Sequence, residues 1–404
     1  MSASMSISTL LLTTLLLSVP LPALASDPAC TCYQSTSNDF FTSYAFHDFR
    51  LVSDYGGRTP SLSSNLPSTA DDSTGISGDD IGTLQSGFIA SSNQWNDSWS
   101  IQQWGKGKAD DTKYRMWNAL SNVFIDKNTD GTKGAKTKLV LRTKRFGDWQ
   151  SSAEVENKQK NLLYATTRFR ARVKGASGAV AGLFYFRNNQ NESDIEILTR
   201  DQPSKIRYSN QPVLDKNGNE IKDASTLVDL NSLAQVDGTA LTDKRSTVSW
   251  EDWHTHRIDW VAGKSSWYVD GKLVLEKTYS VPTIPSYLTL NMWSDGGMWS
   301  GEMKPGHEAK LEIEWIEMAY NTTDTTPTRR KRAVTQLDCK VTCKDNSSDS
   351  GVLNGGWQKV GITSAGKKRI VYGFWSGTDD REFAIATAIG ATMAVVLYIV
   401  DNVI

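Results

Sequence analysis

The most informative stretch of the chain runs Phe184-Tyr-Phe-Arg-Asn-Asn-Gln-Asn-Glu-Ser-Asp-Ile-Glu-Ile-Leu198. It carries three carboxylates at alternate positions, Glu192, Asp194 and Glu196. Residues two apart in a β-strand face the same side, so a strand here projects all three acids together. Like charges this close push pKa values apart, and cleavage of a glycosidic bond needs one protonated acid and one ionised nucleophile or base. The pattern therefore predicts a glycosidase site, while a solvated strand face or a metal site has the same spacing.

Four further segments occur in a recognisable order around this motif. They are Arg168-Phe-Arg-Ala-Arg-Val-Lys174, Trp253-His-Thr-His-Arg-Ile-Asp-Trp260, Trp267-Tyr-Val-Asp-Gly271 and Leu290-Asn-Met-Trp-Ser-Asp-Gly-Gly-Met-Trp-Ser300. With them the chain resembles glycoside hydrolase family 16 over roughly residues 40 to 320, where the usual acid motif is Glu-Ile-Asp-Ile-Glu. The resemblance implies a concanavalin A-like β-sandwich that acts mainly on β-glucans. Ser193 replaces the usual apolar residue and faces away from the acids, so the departure concerns packing more than chemistry.

The resemblance also implies roles for individual residues. Glu192 would be the nucleophile and Glu196 the general acid/base of a retaining mechanism, with Asp194 hydrogen-bonded between them. The sequence does not itself decide between retention and inversion, because Glu192 and Glu196 would lie about 13 Å apart at Cα in a straight strand.

Aromatic side chains give a sugar polymer a platform, because sugar rings present apolar C–H faces. The resemblance points to Trp293, Trp299 and His254 as substrate-binding residues, with the two tryptophans in the cleft and His254 close to the acids. Trp267 is instead expected in the core. The predicted function is a retaining endo-glycosidase of β-glucan type. Two alternatives are a wall transglycosylase of the same family and a lectin-like binder that has lost catalysis.

The rest of the chain predicts an all-β fold. Short β-rich runs alternate with turns from about Trp99 onward, and no βαβ pattern occurs, which favours an antiparallel sandwich of the jelly-roll type. We assign residues 26–95 to a Cys-containing arm followed by a Ser/Gly-rich loop, and residues 96–320 to the catalytic domain. A linker at 321–338 with the basic cluster Arg329-Arg-Lys-Arg332, a possible processing site, and a small Cys-containing segment at 339–382 follow.

The charge balance of the chain bears on the partners that it can bind. The formal net charge of the 404 residues is −1, which does not indicate nucleic acid or a strongly anionic surface. No motif predicts a cofactor. Two Asp/Asn-rich stretches, Asp126-Lys-Asn-Thr-Asp-Gly131 and Asp215-Lys-Asn-Gly-Asn219, are interpreted as hairpin turns and not as metal sites, because the first lacks the closing Glu of a calcium loop.

Both ends of the chain carry targeting features. Leu10–Leu24 is apolar and leads to Ala23-Leu-Ala25, which predicts a signal peptide over residues 1–25 and hence the secretory pathway. Residues 383–400 form a stretch without a charge, either a membrane anchor or the tail of a lipid-anchor signal, so a cell-surface or extracellular destination is expected. Four N-glycosylation sequons begin at Asn96, Asn191, Asn321 and Asn346, of which Asn191 is expected to be unused beside the acids.

Four cysteines flank the catalytic region. Cys30 and Cys32 precede it, and Cys339 and Cys343 follow it. In an oxidising compartment an even count indicates disulfides, with three possible connectivities. A bridge from Cys30 to Cys32 would close a very tight ring, so pairs that join the two ends of the region are favoured.

Overall fold

The computed structural model describes residues 30–62, 64, 82–108, 112–232, 248–323 and 339–345, and the backbone of two strands at 357–362 and 368–371. The predicted signal peptide, the basic cluster, the hydrophobic tail and the sequon at Asn346 lie outside these residues. Within the described part of the chain, no helix is long and apolar enough to cross a membrane.

Strands account for nearly all of the regular structure. They are β1 Cys32–Gln34, β2 Phe40–Phe41, β3 Ser43–Asp48, β4 Trp99–Ile101, β5 Gly105–Lys106, β6 Arg115–Asn118, β7 Val123–Lys127, β8 Thr137–Arg145, β9 Trp149–Asn157, β10 Leu162–Gly175, β11 Val180–Asn188, β12 Asn191–Leu198, β13 Lys205–Asn210, β14 Ser225–Asp229, β15 His254–Val261, β16 Lys264–Val269, β17 Lys272–Lys277, β18 Tyr287–Trp293, β19 Glu308–Thr322, β20 Thr342–Asp345, β21 Trp357–Ile362 and β22 Lys368–Val371. The other regular elements include two four-residue helices, α1 Phe88–Ser91 and α2 Asn93–Asn96, and a 3₁₀ turn at Leu120–Asn122.

Two antiparallel sheets form the body of the molecule. The front sheet runs β4, β9, β18, β11, β12, β13, β14. The back sheet runs β7, β8, β19, β10, β15, β16, β17, and β3 pairs with the second half of β19. Strand β9 joins the two sheets, because its first residues pair with β6 and β8. The predicted all-β, antiparallel β-sandwich of jelly-roll type is confirmed.

The core lies between the two sheets. Its largest fully buried side chains include Trp260 and Trp267 from the back sheet and Tyr185 and Tyr208 from the front sheet. Ile195 of β12 is also fully buried. Alternation along β12 therefore sends one set of side chains into the core and the other set to the outer face of the front sheet.

Ser193 is the polar exception in this inward row. It is fully buried, its hydroxyl donates to Oδ1 of Asn210 at 2.7 Å, and it lies 3.0 Å from the hydroxyl of Ser265. A buried hydroxyl is tolerated when it is hydrogen-bonded. Asn210 and Ser265 thus compensate locally for the polar residue in the acid motif.

The segment that we assigned to an arm and a loop contributes to the sandwich. Strand β3 pairs with β19 in the back sheet, and α1 and α2 bury Ile89 and Trp95 in the core. The stretch from Asp126 to Gly131 connects the paired strands β7 and β8, in agreement with the hairpin interpretation.

A small third sheet brings the two ends of the described chain together. Its order is β2, β1, β20, β21, β22, and β1 runs parallel to β20. Disulfides join Cys30 to Cys343 and Cys32 to Cys339. The predicted pairing of the N-terminal with the C-terminal cysteines is confirmed, and it closes the catalytic region into a covalent ring.

Candidate active site

The acid motif forms strand β12 in the middle of the front sheet. Its neighbours are β11 on one side and β13 on the other. Glu192, Asp194 and Glu196 share the outer face, as the alternation predicts, because Ser193 and Ile195 between them are buried in the core. A central strand is fixed by hydrogen bonds on both edges, so the three carboxylates sit on a rigid support.

Glu192 and Asp194 form a coupled acid pair. Burial raises the pKa of Glu192 to about 7, and it raises the pKa of Asp194 well above its usual range, with the negative charges of Glu192 and Glu196 adding to the effect. Oδ2 of Asp194 accepts a hydrogen bond from Ser209 at 3.2 Å, whereas its buried Oδ1 receives none from an N–H or O–H donor. A proton on Oδ1 that is donated to Glu192 satisfies both acids. Asp194 is therefore the protonated partner and Glu192 the ionised one.

Glu196 has a different environment from the other two acids. Burial raises its pKa, while a hydrogen bond from Trp299 and the positive charge of Arg207 oppose that rise. The indole nitrogen of Trp299 donates to Oε1 of Glu196 at 3.0 Å. Glu196 and Glu192 thus face unlike partners on one strand, which is the condition for two carboxyls to take two roles.

A fourth acid lies in the same transverse row as Glu196. In register across the sheet, Glu196 pairs with Gly182, Gly182 with Asn291, and Asn291 with Glu154. Burial raises the pKa of Glu154 to about 7, and its Oε1 accepts a hydrogen bond from the indole of Trp104 at 2.9 Å. We did not predict Glu154 or Trp104 from the sequence. The alternation in Glu154-Val-Glu156 predicts a strand face. That this face lies beside the acid motif follows only from the register between strands.

Glu154 lies in an open depression on this face. The depression has a volume of about 170 Å³. Its lining residues are Trp104, Lys106, Met116, Asn118, Glu154, Asn291, Trp293 and Asp295. Indole surfaces combined with a few polar groups are typical of carbohydrate sites.

The structure places the predicted aromatic residues as follows. Trp293 lies in the depression on the outer face of the front sheet, and Trp299 contacts Glu196 directly. Trp267 is fully buried in the core, as expected. The face that carries the acids therefore also carries both tryptophans that we predicted for the cleft.

The prediction that His254 lies close to the acids is corrected. His254 belongs to β15 of the back sheet, where it is buried and its Nδ1 lies 2.6 Å from Oδ2 of Asp270. The body of the front sheet separates this strand from the outer face that bears Glu196. The ion-pair geometry with Asp270 explains the position of His254 without a role in the cleft.

A metal site is not part of this arrangement in the described residues. Among them, no group of His, Cys, Asp and Glu side chains has the geometry to hold a metal ion. The acids are partnered by hydroxyl, indole and guanidinium groups instead.

Comparison with known proteins identifies the family. The model of "Glycosyl hydrolases family 16" matches residues 114–317, just over half of the 404 residues. The chain belongs to this family. The matched region of this family 16 chain contains the acid motif, Glu154, Arg207 and Trp299.

Individual relatives of the family 16 chain are distant. It is 31% identical to a beta-glucanase of Paenibacillus macerans over 70 residues, which cover 17% of this chain and 30% of that protein. It is 30% identical to a beta-glucanase of Bacillus subtilis (strain 168) over 66 residues, or 16% and 27% of the two chains. The alignment thus spans less than a third of these curated relatives.

Solved structures with a similar fold include the Bacillus licheniformis beta-glucanase and the catalytic domain of an endo-1,3-beta-glucanase (laminarinase) from Thermotoga petrophila RKU-1. The first has 19% identity and a TM-score of 0.37, and covers 56% of this chain and 92% of its own. The second has 18% identity and a TM-score of 0.41, with coverages of 56% and 92%.

Proposed function

We propose that this family 16 chain is a retaining endo-glycosidase that hydrolyses β-glucan-type polysaccharides. The observation that carries the proposal is the acid stripe on the outer face of the front sheet. Its two glutamates have separate environments, and a protonated aspartate lies between them. The activity of the beta-glucanases to which the chain is similar agrees with this substrate class.

The proposed reaction begins with the ionised Glu192. Its carboxylate attacks the anomeric carbon of the sugar and forms a glycosyl ester as the bond to the leaving oxygen breaks. Glu196 gives its proton to that oxygen, so the departing chain leaves as a neutral alcohol. In the second step Glu196 takes a proton from water, and the resulting hydroxide displaces the ester and restores Glu192. Each displacement inverts the anomeric carbon, so the two steps together retain its configuration.

Asp194 supports the nucleophile in this scheme. Its proton is hydrogen-bonded to Glu192, which holds the nucleophile in place and favours its charged form. When the ester forms, Glu192 loses its charge and the hydrogen bond weakens. The aspartate therefore acts on the nucleophile and not on the sugar.

The depression beside Glu154 supports binding of a polymer. It lies on the same face as the acids, and two of its lining residues, Asn291 and Glu154, belong to the row that also contains Glu196. A chain laid across the strands meets the indole surfaces of Trp104 and Trp293 before it reaches the acids. Binding at several sugars along this path favours cleavage within a polymer over cleavage at its end.

Measurement of reducing-end release tests the proposal. A panel of β-1,3-, mixed-linkage and chitin-type polymers is incubated with the wild type, Glu192→Gln and Glu196→Gln. Turnover by the wild type and none by either variant is expected, with fold and polymer binding kept. Products longer than the substrate would identify a transglycosylase. Polymer binding without turnover on the whole panel would overturn the proposal in favour of a lectin-like protein.

Chemical rescue tests the roles of the two glutamates. Azide added to Glu192→Ala and to Glu196→Ala should give products of opposite anomeric configuration, because azide replaces the nucleophile in one variant and attacks the glycosyl ester in the other. Identical anomers from both variants would contradict the assignment.

We also propose that the chain enters the secretory pathway and reaches the cell surface or the extracellular space, with the tail at 383–400 as a membrane or lipid anchor. Two disulfides support this proposal, because such bonds persist in oxidising compartments. Fractionation of cells that express the full chain tests it. Recovery of the protein only in the cytosol would contradict it.

A further inference from the structure

Trp299 fixes the proton position on Glu196. An indole N–H can only donate, so Oε1 of Glu196 is the acceptor at 3.0 Å in both protonation states of the acid. A carbonyl oxygen accepts more strongly than a hydroxyl oxygen, so this hydrogen bond favours the ionisable proton on Oε2. An acid that keeps its proton on one defined oxygen delivers it from one defined direction, which general acid catalysis requires.

Arg207 holds the indole in this position. It stands directly across from Glu196 on β13. Its Cζ lies 4.9 Å from the centre of the Trp299 ring, within the range of a cation–π contact. Nε and Nη2 of Arg207 each lie 3.3 Å from Oδ2 of Asp201, and both side chains of this ion pair are largely buried. The guanidinium is thus held by Asp201 and lies over the ring of Trp299.

We propose that Arg207 is a positioning residue for Glu196 that acts through Trp299, an inference that rests on the proposed function. Asp201 anchors the guanidinium, the guanidinium supports the indole, and the indole fixes Oε1 of the acid so that Oε2 faces the leaving oxygen. One face of Trp299 is then covered by Arg207 and does not serve as a platform for sugar. Trp299 is thereby assigned to the acid instead of to substrate stacking on that face.

The charges that face Glu196 come from several strands. Glu192 and Asp194 lie on its own strand, Arg207 lies on β13, and Glu154 lies in the same row on β9. On β11 the register position is Gly182, which has no side chain. Arg207 is the cation in this set, and its charge and the Trp299 hydrogen bond both lower the pKa of Glu196 against the effect of burial.

The variants Arg207→Gln, Arg207→Lys and Trp299→Phe test the inference. Arg207→Gln removes the charge and the stacking together. Arg207→Lys removes only the planar stacking, and Trp299→Phe removes the N–H donor. Lys205→Gln is the matched control, because it removes a cation from the same face of the same strand. The measurement is kcat/KM against pH on the polymer that the wild type cleaves, together with kcat/KM on an aryl glycoside whose leaving group needs no proton.

Arg207→Gln and Trp299→Phe should shift the alkaline limb of the profile to higher pH, because each loses a factor that lowers the pKa of Glu196. Their kcat/KM on the polymer should fall roughly ten- to a hundredfold, which is a part of the rate enhancement that general acid–base catalysis contributes. The loss on the aryl glycoside should be much smaller. Arg207→Lys keeps the charge, so the alkaline limb of its pH profile should stay near that of the wild type. Its kcat/KM on the polymer should still fall. Lys205→Gln should match the wild type.

An unshifted limb in Arg207→Gln, with equal losses on both substrates, would overturn the inference and leave Arg207 a structural role only. If Arg207→Gln does not fold, Trp299→Phe and Arg207→Lys decide by the same two readouts. A wild type that cleaves no polymer would instead contradict the proposed function. In that case an NMR titration of the Glu196 carboxyl in the wild type and in Arg207→Gln still tests the inference, because the pKa must be higher in the variant.

Discussion

Glu154 stands in register with Glu196 across the front sheet, with Asn291 and Gly182 between them. The two acids lie on different strands far apart in the sequence, yet they share one row on the outer face. Gly182 keeps this row open, because a Cβ at that position would lie 2.6 Å from Oδ1 of Asn291. The row is the path along which we propose that a sugar chain lies.

Gly182→Ala should weaken substrate binding. The added methyl must displace the amide of Asn291, which donates to Glu154, so the polar side of the row is rearranged. The expected result is a several-fold rise in KM with a smaller change in kcat, measured on a β-glucan polymer. Circular dichroism and thermal melting control for folding. A folded variant with wild-type KM would show that Asn291 does not contact the substrate.

Glu154→Gln should stabilise the protein at high pH. Burial raises the pKa of Glu154 to about 7 in the folded state, so between about pH 4.5 and 7 the folded chain holds a proton that the unfolded chain has lost. Stability contributed by this proton is present at low pH and is lost as the pH rises through 7. Gln keeps the acceptor for Trp104 and removes the charge, so the gain in free energy of unfolding should be about 1 to 2 kcal/mol at pH 8 and near zero at pH 4.

Thermal melting across this pH range provides the measurement. Glu156→Gln is the control, because Glu156 lies on the same face of β9 but is paired with Lys160 at 2.5 Å. It should not gain stability at pH 8. Equal melting temperatures for Glu154→Gln and the wild type at pH 8 would contradict the burial of a charged group at this position.

Asp194→Asn and Asp194→Ala should separate the hydrogen-bond donor of Asp194 from its ability to ionise. The amide of Asn can still donate to Glu192, whereas Ala cannot, and loss of this donor raises the pKa of Glu192. The acidic limb of kcat/KM should therefore move to higher pH in Asp194→Ala and less so in Asp194→Asn. Both variants should keep more activity than Glu192→Gln. Identical wild-type profiles in both would show that Asp194 is not coupled to the nucleophile.

Removal of the first disulfide should cost less stability than removal of the second. They close loops of 313 and 307 residues that nearly coincide, so either bridge alone restricts most of the unfolded chain. Replacement of one pair by Ala should cost about 2 kcal/mol, and replacement of both pairs should cost more than twice that amount. Guanidinium unfolding of the two single-pair variants and of the variant without bridges measures this. Strictly additive losses would contradict the shared-loop account.

Glycan occupancy should differ between two of the sequons. Asn96 is exposed on α2, whereas Asn321 is 4% exposed and both its amide oxygen and its amide nitrogen are hydrogen-bonded. Oδ1 of Asn321 accepts hydrogen bonds from Thr42, and its Nδ2 donates to the carbonyl of Phe40 at 3.1 Å. Peptide mapping after expression in a secreting eukaryotic host should find a glycan at Asn96 and none at Asn321. A glycan on Asn321 in folded protein would contradict the buried geometry.

Local pattern predicted the part of the site that lies on one strand. Alternation placed Glu192, Asp194 and Glu196 on one face, because side-chain direction in a strand depends only on the local backbone. Glu154 and Arg207 reach the site through pairing between strands, and that register is set by the whole sandwich. No spacing along the sequence records it.

The misplaced histidine has the same cause. The resemblance implied that His254 lies near the acids, but strand β15 belongs to the back sheet. Ser193 shows the converse case. Its inward direction was predictable from alternation, but its hydrogen bonds to Asn210 and Ser265 depend on which strands pack nearby.

The paired bridges between β1 and β20 also determine how the molecule carries mechanical load. A pull on the chain from outside Cys30 and Cys343 passes from one segment to the other through two covalent S–S bonds. The sandwich lies outside this load path and bears no tension. Tension applied to the two ends of the described chain would therefore strain the S–S bonds before any hydrogen bond that positions the acids.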